Sequence, residues 1–441
     1  MLRIVREDLG IHVDPELVYR AMLGEERHSF WLTLSGAHVL GRADDPDATI
    51  TAHPFEQLAA RLPATEVRGD GRPAPGWFGW LDYESGAEQV GAYPAGSGGA
   101  GAALMRCSRL ILVDVVSSRV ELAWVEGDVG AGEWARDVSA ALARLARLGA
   151  SPRPPSSPGA DARPAAVVEW RHSGARYLEL IRSCLDAIRR GDAYQLCLTN
   201  TATIRAAIDP VEMFRLLRRA NPAPESALIR FGDTTLVSSS PERFLTVDVD
   251  GVVTTRPIKG TRPRASAQAE DRALAAELAA DEKERAENLM IVDLMRNDLA
   301  RVCRLGSVAV TELFRVESHP HVHQLVSTVR GVLAPGRTAL DALRVCFPAG
   351  SMTGAPKIAA MRILHGLEGG PRGVYSGCYG AFGFDGTAQL AMTIRAGVVG
   401  PHETTIGAGG GITSASRPER ELAEVATKAA ALIDAALGAR R

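Results

Sequence analysis

The segment GAGGGITSASRPERELAEVATKA, residues 407–429, carries the most distinctive pattern in this chain. Its first six residues are mostly glycine, and a helix is predicted shortly after them, over 418–437. On that helix Glu421 and Glu424 are three residues apart and share a face, with Lys428 one turn further along. Successive glycines allow backbone N–H groups to approach a carboxylate or a phosphate closely. No Lys-Ser/Thr pair follows them, so the pattern is not that of a P-loop.

A second pair of carboxylates has the same spacing. Glu284 and Glu287 lie in DEKERAENLMIVDLMRNDL, residues 281–299, which is predicted to be helical. Like charges at this spacing repel by roughly a few tenths of a kcal/mol, and a hard cation such as Mg²⁺ between the two helices would turn the repulsion into coordination. The alternative is that all four carboxylates are solvated surface groups. Glu419 illustrates that alternative, because its spacing from Ser416 is that of a capping box.

A lysine and a glutamate in two other segments are further candidates for chemistry. In TTRPIKGTRPR, residues 254–264, Lys259 is surrounded by three arginines. Neighbouring cations disfavour the protonated amine and so favour a nucleophilic lysine, although a basic surface turn is an equally open alternative. In SSSPER, residues 238–243, Glu242 follows a proline at the end of a strand-like run.

Composition limits the classes of protein to be considered. The chain has 441 residues, and its 50 basic and 52 acidic side chains give a net charge of −2. This balance argues against a nucleic-acid or acidic-membrane partner, and neither a membrane span nor a signal peptide is visible. The six cysteines are scattered, so neither a disulfide framework nor a zinc site is expected. These features predict a cytoplasmic globular protein.

The order of the predicted elements favours an α+β fold. A segment dense in Pro, Ser, Gly and Ala over 149–165 is predicted to be a linker between an N-terminal lobe, 1–148, and a larger domain, 166–441. Strands and helices in that domain do not alternate regularly, which favours a mostly antiparallel sheet over a doubly wound one. The predicted strands are 194–200, 235–240, 244–247, 307–313 and 390–399, and the predicted helices are 177–188, 267–302, 338–346, 355–367 and 418–437.

These segments together resemble the chorismate-binding domain shared by anthranilate, aminodeoxychorismate, isochorismate and salicylate synthases. Seven blocks match in order from about residue 170 to residue 441, and a looser match, GWFGWLDYE at 76–84, precedes them. The resemblance implies a two-lobed α+β sandwich of mainly antiparallel sheets with outer helices, and a cleft between the lobes. The blocks are GDAYQLCLTN (191–200), SSSPERF (238–244), PIKGTRPR (257–264), AENLMIVDLMRNDLARV (286–302), FPAGSMTGAPK (347–357), YSGCYGAFG (375–383) and GAGGGITSASRPERELAEVATKA (407–429).

Two positions within the resemblance distinguish the reactions of this family. Members that add water carry a lysine base where this chain has Gln195, and glutamine cannot deprotonate water. Anthranilate synthases typically have PIAGT where this chain has PIKGT, the pattern of aminodeoxychorismate synthases. Lys259 therefore implies amination of chorismate at C4, to 4-amino-4-deoxychorismate for para-aminobenzoate in folate or antibiotic biosynthesis. The alternatives are an anthranilate synthase component I, which the absence of an LLES signature disfavours, and a chorismate- or tryptophan-binding paralogue without turnover.

The resemblance also implies a role for each site residue. Lys259 would add to the ring at C2, Glu242 would protonate the leaving C4 hydroxyl, and Gln195 is the third catalytic position. No cysteine has the context of an amidotransferase nucleophile, so ammonia is expected from a separate glutamine amidotransferase subunit. The residues implied at a Mg²⁺ site are Glu287 and Glu424 as ligands, with Glu284 and Glu421 beside them. The residues implied in binding chorismate are Gly260, Thr261, Ser351, Thr353, Tyr375, Arg395, Gly410, Gly411 and Lys428.

The chain departs from the family pattern at one position. Many members have His before the Leu-Val-Ser of residues 325–327, where this chain has Gln324, with His323 one residue earlier. A shift of one residue on a strand turns a side chain to the opposite face. No catalytic role is therefore expected for His323.

Overall fold

The computed structural model describes residues 2–62, 67–94, 101–148 and 166–440, so the predicted linker over 149–165 lies outside the described residues. The elements before the linker are β1 (Leu2–His12), α1 (Pro15–Met22), β2 (His28–Leu34), β3 (Ala37–Arg42), β4 (Thr49–Ile50), α2 (Pro54–Arg61), β5 (Val67–Arg68), β6 (Gly76–Leu81), α3 (Tyr83–Gln89), β7 (Ala102–Cys107), β8 (Arg109–Asp114), β9 (Arg119–Val125) and α4 (Ala131–Arg147).

The elements after the linker and the loops between them contain every candidate site residue named above. They are β10 (Val168–Trp170), α5 (Gly174–Arg190), β11 (Gln195–Ile204), α6 (Pro210–Ala220), β12 (Glu225–Phe231), β13 (Thr234–Ser240), β14 (Arg243–Val247), β15 (Val252–Thr255), β16 (Ile258–Pro263), α7 (Gln268–Ala280), α8 (Glu282–Ala300), β17 (Ala309–Ser318), β18 (Val322–Val332), α9 (Ala339–Cys346), a 3-10 turn (Gly350–Met352), β19 (Gly354–Ala355), α10 (Lys357–Glu368), β20 (Cys378–Gly383), β21 (Ala388–Met392), β22 (Ala396–Val399), β23 (Thr404–Ile412) and α11 (Pro418–Gly438).

The described strands form two sheets, one of thirteen strands and one of ten. The larger has the order β10-β11-β23-β22-β13-β12-β2-β3-β8-β9-β1-β5 with β19 paired to β11, and the smaller has the order β16-β18-β15-β14-β21-β20-β6-β7-β4 with β17 paired to β18. Every pairing between these strands is antiparallel except that of β1 with β5. Strands from both sides of the linker share each sheet, because β2 pairs with β12 and β6 with β20. The predicted α+β class with mainly antiparallel sheets is confirmed.

The sheets face each other across an apolar core, and helices cover their outer faces. Phe30 of β2 stacks on Phe78 of β6 with ring centroids 4.3 Å apart, which joins the larger sheet to the smaller. Helices α1, α4, α5, α6, α10 and α11 pack on the larger sheet, and α2, α8 and α9 pack on the smaller. Of the helices in the described residues, none has the length and apolarity needed to cross a bilayer.

Two predicted elements are each divided in the structure. The helix predicted over 267–302 is two helices, because Asp281 ends α7 and its carboxylate then accepts a hydrogen bond from Glu284 N as the cap of α8. The strand predicted over 390–399 is β21 and β22, which belong to different sheets. Between them Arg395 adopts a positive φ of 50°. Both breaks matter for function, because they direct Glu284 and Arg395 toward the same region.

A buried ion pair connects the layers beneath that region. Arg372 and Glu368 form a bidentate pair with distances of 2.7 and 2.8 Å, and both side chains are almost fully buried. The Arg372 guanidinium also donates to the carbonyl oxygens of Met352 and Cys197 at 2.7 and 2.8 Å. Glu368 accepts from the backbone and the hydroxyl of Thr199 at 2.9 Å. The pair therefore fixes β11, the 3-10 turn and α10 relative to one another.

Removing the cation of this pair should be costly. Arg372→Met would leave the Glu368 carboxylate buried without its partner, so we expect the free energy of unfolding to fall by about 3–5 kcal/mol. Chemical denaturation followed by circular dichroism would measure it. Arg176→Met on α5 is the control, because its pair with Glu179 is more than half exposed and should contribute less than about 1 kcal/mol. Equal losses in the two variants would contradict this account of the buried pair.

Candidate active site

A cavity of about 540 Å³ lies between the two sheets and the first turns of α8 and α11. β11 and β23 contribute to it from the larger sheet, and β16 and β18 from the smaller. It is lined by all but two of the candidate catalytic, substrate-binding and metal-binding residues named from the sequence. Those lining it are Glu242, Lys259, Gly260, Thr261, Glu284, Glu287, Ser351, Tyr375, Arg395, Gly410, Gly411, Glu421, Glu424 and Lys428.

Thr353 and Gln195 are the two exceptions. Thr353 is fully buried, and its hydroxyl donates to the carbonyl oxygen of Ala349 at 3.2 Å, so the structure does not bring it to the cavity. Gln195 is also fully buried, but its amide nitrogen lies 2.8 Å from the position that a Cβ on Gly411 would take. Neither polar atom of the Gln195 side chain has a hydrogen-bond partner among the described residues. Gln195 therefore lies directly beside the glycine floor of the cavity.

The glycine run forms that floor as part of strand β23. Gly410 pairs with Leu198 of β11 and Gly411 with Cys197, so the extended pairing continues through the glycines to Ile412. What the glycines provide is the absence of side chains. A Cβ on Gly407 would lie 2.1 Å from the ring of Tyr375, so only glycine lets that ring pack against the strand.

Lys259 reaches the same floor from β16. Its Nζ lies 3.6 Å from the Cβ position of Gly411, and no hydrogen bond or ion pair among the described residues involves it. The expectation that uncompensated arginines crowd this lysine is wrong, because each arginine is neutralised by a carboxylate from another element. The pairs are Arg256 with Glu317, Arg262 with Asp281 and Arg264 with Asp271.

Glu242 lies in the wall of the cavity, just after β13. Burial raises the pKa of its carboxyl to about 7, although the charge of Lys259 and the hydroxyl of Ser351 both act to lower it. Its backbone oxygen accepts from Met392 N at 3.1 Å, which fixes the residue against β21. A carboxyl with a pKa near 7 is able to donate a proton at neutral pH.

The four helix carboxylates approach the cavity from two directions. Burial, together with the charge of a neighbouring carboxylate, raises the pKa values of Glu284, Glu287 and Glu421. Glu424 differs: burial acts to raise its pKa, but the ion pair with Lys428 at 2.6 Å and the charges of nearby lysines lower it below the ordinary value. Glu284, Glu287 and Glu421 are therefore not the solvated surface groups of the alternative interpretation, whereas the side chain of Glu424 is about half exposed.

The predicted capping box at the start of α11 is wrong. The Ser416 hydroxyl donates to the Glu421 carboxylate at 2.7 Å, and the cap residue is Arg417, whose side chain makes no capping hydrogen bond. Ser416 lies one residue before the cap and is too early to close the box with Glu419. Its hydroxyl instead orients Glu421 toward the cavity.

The carboxylates fit a hard divalent cation by their chemistry, because Mg²⁺ prefers oxygen ligands. Among the described residues no three of them already form a metal-binding cluster. The ammonium of Lys283 lies between the two helices instead, 3.7 Å from Glu287 and 4.0 Å from Glu421. The space between α8 and α11 therefore accommodates a positively charged group. Lys283 was not singled out in the sequence, although its four-residue spacing from Glu287 on a helix was a signal for it.

Gln324 and His323 lie on opposite sides of β18. Gln324 lines the cavity. His323 is buried away from it, with Nε2 3.0 Å from Asp271 and Nδ1 2.9 Å from the Ser318 hydroxyl. The prediction that the one-residue shift turns His323 to the other face is confirmed.

The fold and this cavity define an enzyme site with a proton donor, an amine and a group of carboxylates between two antiparallel sheets. The chain belongs to the chorismate binding enzymes, because the model of that family matches residues 19–434. It is 43% identical over 389 residues to an aminodeoxychorismate synthase of Streptomyces pristinaespiralis, covering 86% of this chain and 53% of that protein. It is 38% identical to an aminodeoxychorismate synthase of Streptomyces griseus, covering 98% of this chain and 64% of that protein.

A solved structure has the same fold over nearly its whole length. The anthranilate synthase component I of Streptococcus pneumoniae superposes with a TM-score of 0.75 and 27% identity, covering 96% of this chain and 98% of that one. The chain spans 53% of the length of the first Streptomyces relative and 64% of the length of the second.

The raised pKa of Glu242 predicts how stability depends on pH. Between about 4.5, the ordinary value, and about 7, the folded protein binds a proton at Glu242 that the unfolded chain does not. The free energy of unfolding should therefore fall by about 3 kcal/mol as pH rises from 4.5 to 8, relative to Glu242→Gln, which lacks this proton.

Denaturant unfolding of both proteins at several pH values in EDTA would measure the difference. Glu179→Gln is the control, because Glu179 is exposed and ion-paired on α5, and its stability should follow the wild type. Parallel pH profiles for wild type and Glu242→Gln would refute the raised pKa.

Proposed function

We propose that this chain acts as an aminodeoxychorismate synthase, replacing the C4 hydroxyl of chorismate with an amino group. The proposal rests mainly on one observation. A lysine amine without a hydrogen-bond or ion-pair partner in the described residues shares a cavity with a carboxyl whose pKa is about 7. The names of the two Streptomyces relatives support the same activity.

In the first step the Lys259 amine, after giving up its proton to solvent, would attack C2 of the ring. The new C–N bond forms, the ring double bonds shift, and the bond from C4 to its hydroxyl breaks. Glu242 gives its proton to the departing oxygen, which leaves as water. Gln195, beside the same floor, cannot act as the base that addition of water at C2 would require.

In the second step ammonia would attack C4 and the double bonds would shift back. The nitrogen on C2 carries a positive charge, so Lys259 leaves as a neutral amine without needing a further proton. The ammonium group formed at C4 then loses a proton, which restores the acid form of Glu242. The enolpyruvyl group is not touched, and the product is 4-amino-4-deoxychorismate.

The same cavity suits a dicarboxylate substrate and a Mg²⁺ ion. Glu287 and Glu424 would hold the ion, with Glu284 and Glu421 beside them, and the bound ion would supply positive charge for the ring carboxylate. Arg395, which is mostly buried in the cavity wall, offers a planar fork that binds a carboxylate with two hydrogen bonds. These roles follow from the chemistry of the side chains and from the family resemblance.

Amination at C2, as in an anthranilate synthase, is the second candidate. It is favoured by the name of the solved relative from Streptococcus pneumoniae. Lys259 separates the two reactions, because a lysine bonded to C2 blocks ammonia from that carbon and directs it to C4. With alanine at this position ammonia would attack C2 itself.

The nitrogen source is proposed to be ammonia from a separate glutamine amidotransferase subunit. None of the six cysteines lies in an amidotransferase sequence context, and all six are buried. Burial leaves a thiol neutral and unreactive, unlike a catalytic thiolate.

Replacing Lys259 should change the product as well as the rate. In Lys259→Ala we expect C4 amination to fall by roughly two orders of magnitude or more, because the covalent route is lost, and C2-aminated products, 2-amino-2-deoxyisochorismate or anthranilate, to appear. Chromatography and mass spectrometry of reactions with chorismate, Mg²⁺ and ammonium would identify them, and calorimetry would check that chorismate still binds. Near-normal C4 amination by the variant would exclude a covalent lysine, and no product from wild type would favour a binding protein without turnover.

The nitrogen-source proposal predicts turnover with ammonium salts and none with glutamine alone. The purified chain would be assayed with each source at the same pH and chorismate concentration. Adding a glutaminase subunit of the family should enable use of glutamine. Glutamine-dependent turnover by the single chain would contradict the proposal.

A further inference from the structure

Lysine is rare in this chain and is concentrated at the site. Of its 50 basic residues only four are lysines, namely Lys259, Lys283, Lys357 and Lys428. Three of the four line the cavity, and the fourth is buried in an ion pair with Asp298 at 2.5 Å. Elsewhere the chain uses arginine wherever a positive charge is needed. Lys283 therefore indicates that this position needs a compact positive charge. The ammonium group of lysine provides one, and the larger planar guanidinium group of arginine does not.

Lys283 belongs to α8, and its ammonium group lies between α8 and α11 without a hydrogen bond to a carboxylate of either helix. Its distances of 3.7 Å to Glu287 and 4.0 Å to Glu421 are longer than those of a hydrogen-bonded ion pair. Its side chain is about half exposed, whereas those of Glu287 and Glu421 are 11% and 5% exposed. Lys283 can therefore leave this position into solvent, while the two carboxylates cannot.

Two other cations near these carboxylates, Lys428 and Arg262, are held more firmly than Lys283. Lys428 lies 2.6 Å from Glu424 and donates to the carbonyl oxygen of Gly409 at 2.9 Å. Arg262, which is 3.7 Å from Glu284, is also bonded to carboxylates at the end of α7. Among the described residues Lys259 and Lys283 both lack a hydrogen bond, but of these two only Lys283 lies within 4.0 Å of a carboxylate of this group. It is therefore the one that an entering ion displaces most easily.

We infer that Lys283 is an internal competitor for the divalent cation: its ammonium holds Glu287 and Glu421 together when no ion is bound and must withdraw when one binds. This inference rests on the proposed Mg²⁺ site. Two positive charges cannot share the space between the helices without strong repulsion. Lys283 thus determines the affinity of the site for Mg²⁺. When no Mg²⁺ is bound, its positive charge offsets the repulsion between the buried carboxylates.

Calorimetric titration of the full chain with MgCl₂ tests this without measuring turnover. Lys283→Met keeps the length of the side chain and removes its charge, so Mg²⁺ should bind about tenfold more tightly than to wild type. Lys283→Arg should bind it severalfold more weakly, because a guanidinium bridges two carboxylates more firmly. Arg296→Met is the matched control: it removes one charge from the same helix at similar exposure, in a pair with Asp293, and should leave the affinity unchanged.

A second readout is the unfolding temperature in EDTA. Lys283→Met should unfold at a lower temperature than Arg296→Met and should recover when Mg²⁺ is added. If Lys283→Met binds Mg²⁺ no more tightly than wild type, the inference fails, and the Mg²⁺ site stands provided that Glu287→Gln abolishes binding. If neither wild type nor Lys283→Met binds Mg²⁺, the Mg²⁺ site and this inference fail together, whereas C4 amination is judged separately by product analysis.

Discussion

β11 and β23 pair over nine residues, from Leu196 opposite Ile412 to Ile204 opposite Thr404, and four of the nine positions on β23 are glycine. A side chain on any of these glycines would enter space that other groups of the protein occupy. Tyr375 packs where a Cβ of Gly407 would be, and Gln195 and Lys259 converge on Gly411. β23 must therefore be extended and must also lack side chains at these positions. The cavity exists because this pairing supplies backbone without side chains between the two sheets.

Around that floor, each group of the proposed mechanism is positioned by a different part of the fold. Lys259 comes from the smaller sheet, Glu242 follows a strand of the larger one, and the carboxylates come from the starts of α8 and α11. The buried pair of Arg372 with Glu368 fixes β11 to the 3-10 turn that carries Ser351. Burial then determines the pKa values of the carboxyl groups in the cavity. It raises the pKa of Glu242 to about 7, so that this carboxyl can donate a proton near neutral pH, and it also raises the pKa values of Glu284, Glu287 and Glu421.

Much of the site was predictable from the sequence, because spacing on one helix is a local property. Glu284 with Glu287, and Glu421 with Glu424, share faces for that reason, and the family blocks brought the rest together. What the sequence did not reveal depends on contacts between distant segments. The arginines around Lys259 are neutralised by carboxylates of other elements, and the strand predicted over 390–399 divides at Arg395 as the chain passes between sheets. Local periodicity carries no information about either.

The central claim is that Lys259 forms a bond to the ring during turnover. The most direct measurement is to incubate the protein with chorismate and Mg²⁺ in the absence of ammonia, quench with acid, and map the peptides by mass. Because the chain has only four lysines, each site is identified without ambiguity. The account predicts a peptide containing Lys259 that is heavier by one chorismate less one water, and no such gain at Lys283, Lys357 or Lys428. An unmodified Lys259 peptide under conditions where added ammonia gives full turnover would contradict it.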